Sequence, residues 1–205
     1  MKNLNKTIDV VIPVYNDNSY LTETLCSIFS QKIPSGWALQ VYVVDDGSEE
    51  PVGVPGFSTS ENMLTLVRLN KNQGVSVARN KGAFAGVGEA ILFLDADCAM
   101  AHQDVIALML EKYDNGIELC FGQIHVGGDS FWAKYQNCVA KKRAEDFVRG
   151  GSSSMTSQIF IVQRTAFSAV GGFDEAYHFG FEDRDLFISL IKRGISVALE
   201  EEALV

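Results

Sequence analysis

The sequence predicts an α/β fold in which helices flank a mostly parallel central sheet. Two observations support this prediction. Apolar runs of strand length alternate with helical apolar spacing through the first half of the chain, and the run at 91–94 is apolar at every position, as expected for a strand buried on both faces. Alternating β and α units form parallel sheets with right-handed crossovers, and such sheets bind ligands at the carboxyl ends of their strands.

The first half of the chain contains four predicted strands and two predicted helices. The strands lie at 10–14, 39–45, 63–69 and 91–94. One helix follows the capping residues Asp17 and Ser19. The other runs from about residue 76 to 85, and Gly86 and Gly88 end it.

The second half is less regular. Helices are predicted at 103–114, 131–147 and 182–193, and strands at 117–124, 158–163 and 195–205. Residues 149–157 form a polar, glycine-rich loop that could close over a ligand or serve only as a connection. No repeat or linker divides the chain, so we expect one domain over residues 1–205.

Composition restricts the class of function. The 205 residues are 47% hydrophobic and 21% charged, which is ordinary for a soluble globular domain. A net charge of −9, with a basic cluster only at residues 141–143, argues against nucleic acid as a partner. The four cysteines lack any metal or disulfide spacing, and no signal peptide or membrane span is apparent. We therefore expect a cytoplasmic protein, and the abrupt stop at Val205 suggests a piece of a longer chain.

Asp95 and Asp97 directly follow the buried run at 91–94. Side chains alternate along an extended backbone, so two carboxylates placed two residues apart can point the same way. They would repel each other unless a cation lay between them, and oxygen ligands suit Mg²⁺ or Mn²⁺. The alternative is a turn with two solvated aspartates.

Polar side chains follow each of the four strands in the first half. Because the carboxyl ends of parallel strands meet at one edge of the sheet, we expect these groups to share one crevice. In chain order they are Pro13, Tyr15, Asn16 and Asp17, then Asp45, Asp46, Gly47 and Ser48, then Asn72, Gly74, Arg79 and Asn80, then Asp95 and Asp97.

Four blocks of the sequence resemble the inverting family-2 glycosyltransferases in order and spacing. They read VVIPVYNDNSYLTETLCSIFSQ, VYVVDDGSEE, LNKNQGVSVARNKGAFAGVGEAILFLDADC and GGFDEAYHFGFEDRDL. The resemblance covers nearly the whole chain and implies a GT-A fold, with a Rossmann-like sheet. By this resemblance, residues 1–100 bind a nucleotide sugar and residues 101–205 carry the acceptor site and the catalytic base.

The same resemblance implies a role for each strand-end group. The donor-binding residues would be the loop Pro13, Tyr15, Asn16 and Asp17 with Asp46 against the nucleotide base, Asp45 beside them, and Arg79 supporting base and phosphates. Asp95 and Asp97 would hold the ribose and the metal-bound diphosphate, with Mn²⁺ or Mg²⁺ mainly on Asp97.

Glu182 and Asp183 occupy the first turn of the last predicted helix, where the helix dipole favours negative charge. Acids in a first turn are also ordinary capping residues. An attacking hydroxyl must lose its proton, which requires a general base. The family's acidic motif implies that Asp183 is this base and that Glu182 binds the acceptor or orients the site, whereas Asp185 is solvated or structural.

The implied reaction moves a sugar from a nucleoside-diphosphate sugar, with UDP expected, to an acceptor hydroxyl. The acceptor would be a polysaccharide, glycolipid or surface-glycan precursor, and peripheral contact with a membrane is compatible with this. Two alternatives stay open. One is a nucleotide- or carbohydrate-binding domain without catalysis. The other, a sugar-phosphate nucleotidyltransferase, lacks support because VVIPVYNDNSY stands where that class has a glycine-rich signature.

Other residues give weaker signals. His125 and His178 lie on loops where a histidine is usually solvated, although His178 could complete a metal shell. Trp132 and Tyr135 begin the helix at 131–147 and could stack on a sugar ring, but aromatic residues on a helix face are usually part of the core.

Overall fold

The computed structural model describes residues 6–17, 19–54, 63–150, 158–178 and 180–205. The strands are β1 Lys6–Val14, β2 Trp37–Asp45, β3 Leu64–Arg68, β4 Ala90–Leu94, β5 Leu119–Gln123, β6 Ile159–Gln163 and β7 Val197–Leu204. The helices are α1 Leu21–Phe29, α2 Val75–Ala85, α3 Val105–Asp114, α4 Phe131–Val148, α5 Arg164–Val170 and α6 Glu182–Lys192. Most of the glycine-rich loop predicted at 149–157 lies outside the described residues.

The strands form one sheet in the order β3-β2-β1-β4-β6-β5-β7. Strand β1 runs parallel to β2 and β4, β2 runs parallel to β3, and β5 runs parallel to β7. Strand β6 is antiparallel to both β4 and β5. The predicted α/β class with a mostly parallel sheet is confirmed, but the reversal of β6 was not predicted. Among the described helices, none has the length and apolar character that a membrane span requires.

Alternation along the strands builds a core on each face of the sheet. Ile8, Val10 and Ile12 of β1 pack with residues of α1 and α3, whereas Val11 packs with residues of α2 and of α4 to α6. A central strand covered on both faces is apolar at nearly every position, which is why β1, β2 and β4 were recognisable in the sequence. Because helices cover both faces of the sheet, loops lie at its carboxyl edge.

A cluster of buried phenylalanines fixes the helices of the second half to the sheet. Phe187 of α6 meets Phe121 edge-on at 4.8 Å between ring centroids and Phe160 at 5.1 Å. Phe93 stacks on Phe160 at 4.9 Å. Aromatic pairs in these geometries contribute about 0.5–1.5 kcal/mol each beyond their buried area. The cluster therefore holds the start of α6 in a defined position.

Strand β1 begins at Lys6, four residues before its predicted start. The apolar run that predicts the strand starts only after the charged Asp9, which lies inside the strand. Asp9 is buried and pairs with Arg164 at 2.6 Å, and it also accepts a hydrogen bond from the N–H of Gly88 at 2.7 Å. A Cβ on Gly86 would lie only 2.1 Å from Asp9 Oδ2. The two glycines after α2 thus make room for a buried carboxylate.

Candidate active site

Loops from the carboxyl ends of β1, β2, β3 and β4 surround a cleft of about 620 Å³, which the segment before α6 completes. This arrangement is what a parallel sheet with helices on both faces produces. The cleft is lined by Pro13, Val14, Tyr15, Asp46, Asn72, Gly74, Val75, Ala78, Asp95, Ala96, His178, Gly180 and Glu182.

Some of the predicted site residues line the cleft and others support it. Those on its surface are Pro13, Tyr15, Asp46, Asp95 and Glu182. Those that are absent from the lining of this cleft are Asn16, Asp17, Asp45, Arg79, Asp97 and Asp183. Each residue of the second group lies in the chain next to, or in direct contact with, the loops that form the cleft.

Asn16 connects the loop after β1 to the loop after β2. Its backbone N–H donates to Ser48 Oγ at 2.9 Å, and its side-chain oxygen accepts from the N–H of Glu49 at 2.8 Å. Asn16 has a φ of 53°, a left-handed conformation that asparagine tolerates better than most residues. Asp17 accepts from the N–H of Ser19 at 3.0 Å. Both side chains therefore shape the loop that carries Tyr15.

Asp45 is an anchor for the loop that follows β2. Its buried carboxylate accepts hydrogen bonds from the N–H groups of Ser48 at 2.8 Å and Val52 at 3.2 Å, and it pairs with Arg68 at 2.5 Å. Burial would raise the pKa of Asp45, but the hydrogen bonds from Ser48 and Val52 and the Arg68 charge together lower it. Asp45 therefore stabilises the loop after β2, a structural role that the sequence did not indicate.

Asp46 lines the cleft and also fixes the start of α2. Its two oxygens accept from the backbone N–H groups of Gln73 at 2.9 Å and Gly74 at 2.8 Å. Burial raises the pKa of Asp46, these two hydrogen bonds oppose the change, and the charge of Asp45 adds to it. These two bonds fix the position of the Asp46 carboxylate, which can accept further hydrogen bonds from a ligand in the cleft.

The side chain of Arg79 joins two carboxylates of the cleft. It donates to Glu182 Oε1 at 3.0 Å and to Asp95 Oδ1 at 2.8 Å, and only 4% of the Arg79 side chain is exposed. Desolvation raises the pKa of Asp95, the Arg79 charge and hydrogen bond oppose it, and the charges of Asp97 and Glu182 raise it further. The positive charge of Arg79 therefore offsets the negative charges of Asp95 and Glu182, although Arg79 does not line the cleft.

Asp95 and Asp97 lie in a turn, because β4 ends at Leu94 and the N–H of Cys98 closes back on the carbonyl of Asp95 at 3.2 Å. Asp95 and Asp97 therefore do not lie on the extended strand from which their shared direction was predicted. Asp97 is exposed and Asp95 half-buried, yet the Asp97 charge acts on Asp95. The described residues contain no group of three or more acidic, histidine or cysteine side chains placed to hold a metal ion.

The pair nevertheless fits a hard divalent ion that binds together with a phosphate ligand. Mg²⁺ commonly keeps several waters and is held by one or two protein carboxylates plus substrate phosphates. Asp97 offers an exposed carboxylate and Asp95 offers the oxygen opposite its contact with Arg79. Two protein ligands of this chemistry are therefore sufficient for such a site.

The segment before α6 carries backbone strain at the edge of the cleft. Phe181 has a φ of 69° and is 68% exposed, although a bulky residue rarely adopts this conformation. Glu182 follows it and is buried, and in the described part of the chain its Oε2 has no hydrogen-bond partner. Asp183 is half-buried on the first turn of α6, beside Glu182.

One face of α2 fastens the two halves of the chain together. Ser76 donates to the carbonyl of Tyr177 at 3.1 Å, and Asn80 exchanges hydrogen bonds of 2.9 Å with the backbone of Phe173. Gly74 packs against His178, where a Cβ would lie 3.3 Å from the His178 carbonyl oxygen. The sequence predicts that Gly74 and Asn80 lie at the strand edge, but it does not predict these contacts.

Comparison with known proteins places the chain in a family. The sequence model described as "Glycosyl transferase family 2" matches residues 9–171. The chain belongs to this family. Pre-mycofactocin glycosyltransferase of Mycobacterium tuberculosis is 29% identical to it over 208 residues, covering 98% of this chain and 42% of the relative. An N-acetylglucosaminyltransferase of Neorhizobium galegae is 32% identical over 123 residues, covering 58% of this chain and 28% of the relative.

Solved structures of similar shape show the fold. The mannosyltransferase PcManGT from Pyrobaculum calidifontis, determined in complex with GDP-Man and Mn²⁺, has a TM-score of 0.69 and 20% identity, covering 96% of this chain and 55% of that structure. TarS 1–349 of S. aureus has a TM-score of 0.69 and 17% identity, covering 96% and 58%. The family-2 chain therefore has the GT-A fold, and it spans less than two thirds of each of these proteins.

Proposed function

We propose that this family-2 domain transfers a sugar from a nucleoside-diphosphate sugar to an acceptor hydroxyl in a single inverting displacement. The observation that carries the proposal is the convergence of Asp46, Asp95 and Glu182 on one cleft at the carboxyl edge of the sheet. A donor bound there would meet fixed acceptors for its base and ribose and a carboxylate pair for a diphosphate-bound ion.

The donor would lie across the loops after β1, β2 and β4. Pro13, Tyr15, Asp46 and Asp95 line the cleft. The first three would contact the base, and Asp95 would contact the ribose or share the ion. Asn16, Asp17, Asp45 and Arg79 hold these residues in position. UDP is the first nucleotide to test, because family members most often use it, and GDP is the second, because PcManGT was determined with GDP-Man.

Asp97 and Asp95 would hold Mn²⁺ or Mg²⁺ together with the diphosphate. When bound, the ion supplies Lewis-acid stabilisation of the negative charge that develops on the leaving diphosphate. The protein contributes the exposed Asp97 carboxylate and an Asp95 that Arg79 holds at 2.8 Å. Asp97 and Asp95 are the residues whose replacement should reduce any dependence on the ion.

The catalytic base would be Asp183. In the proposed step the acceptor oxygen forms a bond to the anomeric carbon, the bond from that carbon to the diphosphate oxygen breaks, and the hydroxyl proton passes to the Asp183 carboxylate. The start of α6 favours a negative charge at this position before the proton arrives. Glu182, held by Arg79 at 3.0 Å, would bind the acceptor or orient the site.

The nucleotide site is tested first by thermal unfolding. We expect UDP to raise the melting temperature and Mn²⁺ to increase that rise, because a ligand that binds only the folded state stabilises it. The panel also contains GDP, dTDP and the matching nucleosides. A melting temperature that none of the three diphosphates changes would contradict a donor site in this cleft.

Catalysis is tested separately, with a panel of nucleotide sugars assayed for release of nucleoside diphosphate. The panel contains UDP-glucose, UDP-N-acetylglucosamine and GDP-mannose, each with glycan and glycolipid acceptors. Release that requires an acceptor supports the transferase. Diphosphate binding without release from any donor would instead support a binding domain without catalysis. The chain spans only 42% of the pre-mycofactocin glycosyltransferase that it matches. Localisation in the cytoplasm stays a prediction.

A further inference from the structure

A second cleft of about 390 Å³ lies between α4 and the segment that follows β5. Its lining shares no residue with the cleft of about 620 Å³ described above, which we call the donor cleft after its proposed ligand. The residues that surround it, which we call the α4 groove, are Ile124, Val126, Trp132, Tyr135, Gln136, Asn137, Val139, Ala140, Arg143 and Gln158.

The α4 groove has an exposed aromatic wall. Trp132 is 63% exposed and Tyr135 is 51% exposed, so neither belongs to the core that aromatic residues on a helix usually join. Their rings are nearly parallel, at 24°, with centroids 5.5 Å apart. Concave sites that combine such rings with a few polar groups are typical of small-molecule binding sites. The outer face of such a stacked pair matches the apolar face of a sugar ring.

The opposite wall is held in place before any ligand binds. Asn137 Oδ1 accepts from the N–H of Val126 at 2.7 Å, and Asn137 Nδ2 donates to the carbonyl of Val126 at 3.1 Å. These two bonds tie the segment after β5 to α4. A groove fixed in this way loses little conformational freedom when it is filled.

Gln158 supplies a polar group that lacks a partner. Its Oε1 is buried, and among the described residues nothing donates a hydrogen bond to it. A buried polar atom without a partner lowers stability, and native structures contain few of them. Gln158 lines the groove, so a rotation of its side chain would bring this oxygen to a ligand hydroxyl, and Arg143 offers donors on the same lining.

Gln158 also connects the α4 groove to the donor cleft. Its backbone carbonyl accepts from the N–H of Asp95 at 3.0 Å, so a residue of the groove and a residue of the donor cleft are bonded to each other. A molecule in the groove would therefore lie beside the position at which the proposed reaction occurs.

We propose that the α4 groove binds a saccharide unit of the acceptor, with Trp132 and Tyr135 against the ring face and Gln158 and Arg143 on its hydroxyls. This inference rests on the proposed transferase function. The concave shape and the side-chain amides of the lining favour a saccharide over a flat membrane surface.

The test is a fluorescence titration of the chain with chitotetraose, cellotetraose and mannotetraose, without nucleotide. The chain has two tryptophans, and Trp37 is buried at 5% exposure, so Trp132 is the responsive one. We expect at least one tetrasaccharide to give a saturable change with a Kd of about 1 mM or below. Tyr135→Ala should weaken that binding roughly tenfold.

Phe131→Ala is the matched control, because Phe131 is an 84% exposed aromatic residue of the same helix outside the groove lining. Its affinity should equal that of the wild type. Gln158→Met should weaken binding without lowering the melting temperature, since it removes an unpartnered polar atom. A loss of melting temperature in this variant would assign Gln158 a structural role and remove it from the proposal.

Three results would overturn the inference: no saturation with any tetrasaccharide, equal weakening by Phe131→Ala and Tyr135→Ala, or a response to phosphatidylglycerol vesicles in place of the sugars. The UDP and Mn²⁺ melting experiment, run on the same protein, separates the two proposals. Nucleotide binding without saccharide binding overturns the groove alone. Saccharide binding without any nucleotide response overturns the transferase and leaves a carbohydrate-binding groove.

Discussion

Arg79 donates a hydrogen bond to Glu182 at 3.0 Å, although 103 residues separate the two in the chain. The same guanidinium reaches Asp95 at 2.8 Å, so one buried side chain connects α2, the end of β4 and the start of α6. Removing one partner from a buried ion pair typically costs about 3–5 kcal/mol, because the remaining charge is uncompensated. The shape of the donor cleft therefore depends on a residue that does not line it.

Replacing Arg79 with lysine should weaken nucleotide binding in a protein that still folds. Lysine keeps the positive charge but lacks the planar fork that allows two carboxylates to be bonded at once. We expect Arg79→Lys to fold with a lower melting temperature and to bind UDP roughly tenfold more weakly. Urea unfolding and a UDP titration measure the two effects.

Arg164→Lys is the control for that experiment. Arg164 also forms a buried pair, with Asp9 at 2.6 Å, but neither residue lines the donor cleft. We expect Arg164→Lys to lose stability and to keep its UDP affinity. If both variants bind UDP equally well, Arg79 supports the fold without positioning the donor site.

Asp183→Asn should abolish sugar transfer while leaving nucleotide binding within about twofold of the wild type. A positioned general base typically contributes about 10²- to 10⁴-fold to a rate, and an amide cannot accept the proton. Rates of diphosphate release and UDP melting shifts are the two measurements. Asp185→Asn, on the same first turn of α6, should retain activity. Loss of the UDP shift in Asp183→Asn would mean that Asp183 has a structural role.

Much of the fold could be predicted because its central strands are buried on both faces. The apolar runs of β1, β2 and β4 are direct consequences of that burial, and the polar residues after them lie at one edge, as parallel pairing requires. The sequence therefore predicts that Asp46 and Asp95 share one crevice, and both line the donor cleft.

The pairing of side chains could not be predicted from the same patterns. Nothing in the sequence near Arg79 indicates Glu182, because their contact depends on how α6 packs on the phenylalanine cluster. The expected orientation of Asp95 and Asp97 assumed an extended backbone, but β4 ends at Leu94 and a turn follows. Periodicity identifies elements, whereas turn geometry and tertiary pairing determine what the polar groups do.

Asp97→Asn should remove most of the increase that Mn²⁺ adds to the UDP melting shift, while UDP alone still stabilises the protein. Asp97 is exposed and follows the end of β4, so its replacement leaves the core intact. An amide is a weaker ligand than a carboxylate for a hard cation. Asp104→Asn, an exposed acid that pairs with Lys32, serves as the control and should keep the full Mn²⁺ effect. An unchanged increment in Asp97→Asn would place the ion elsewhere.

Gly47→Ala should destabilise the protein more than Gly36→Ala does. Both glycines have positive φ, 72° and 93°, so both variants carry the strain of a left-handed backbone, about 1–2 kcal/mol. A Cβ at Gly47 would also lie 2.3 Å from the backbone carbon of Lys71, whereas nothing lies within 4 Å of one at Gly36. We expect an additional loss of about 1–3 kcal/mol for Gly47→Ala, measured by urea unfolding. Equal losses would show that the two loops separate easily.

Asp45 should make the stability of the protein fall in acid. Its folded-state pKa lies below the ordinary value of 3.8. Burial raises it, but the hydrogen bonds from the side chain and the backbone of Ser48, the bond from Val52 and the charge of Arg68 outweigh that effect. The unfolded chain therefore binds the proton first, and the contribution of Asp45 is complete above the ordinary value and lost as the pH falls through the folded value. Asp45→Asn has no such titration. In urea unfolding from pH 7 to pH 3, the difference in free energy of unfolding between the wild type and this variant should shrink as the pH falls. Ser48→Ala should be intermediate. A difference that stays constant with pH would contradict the assignment.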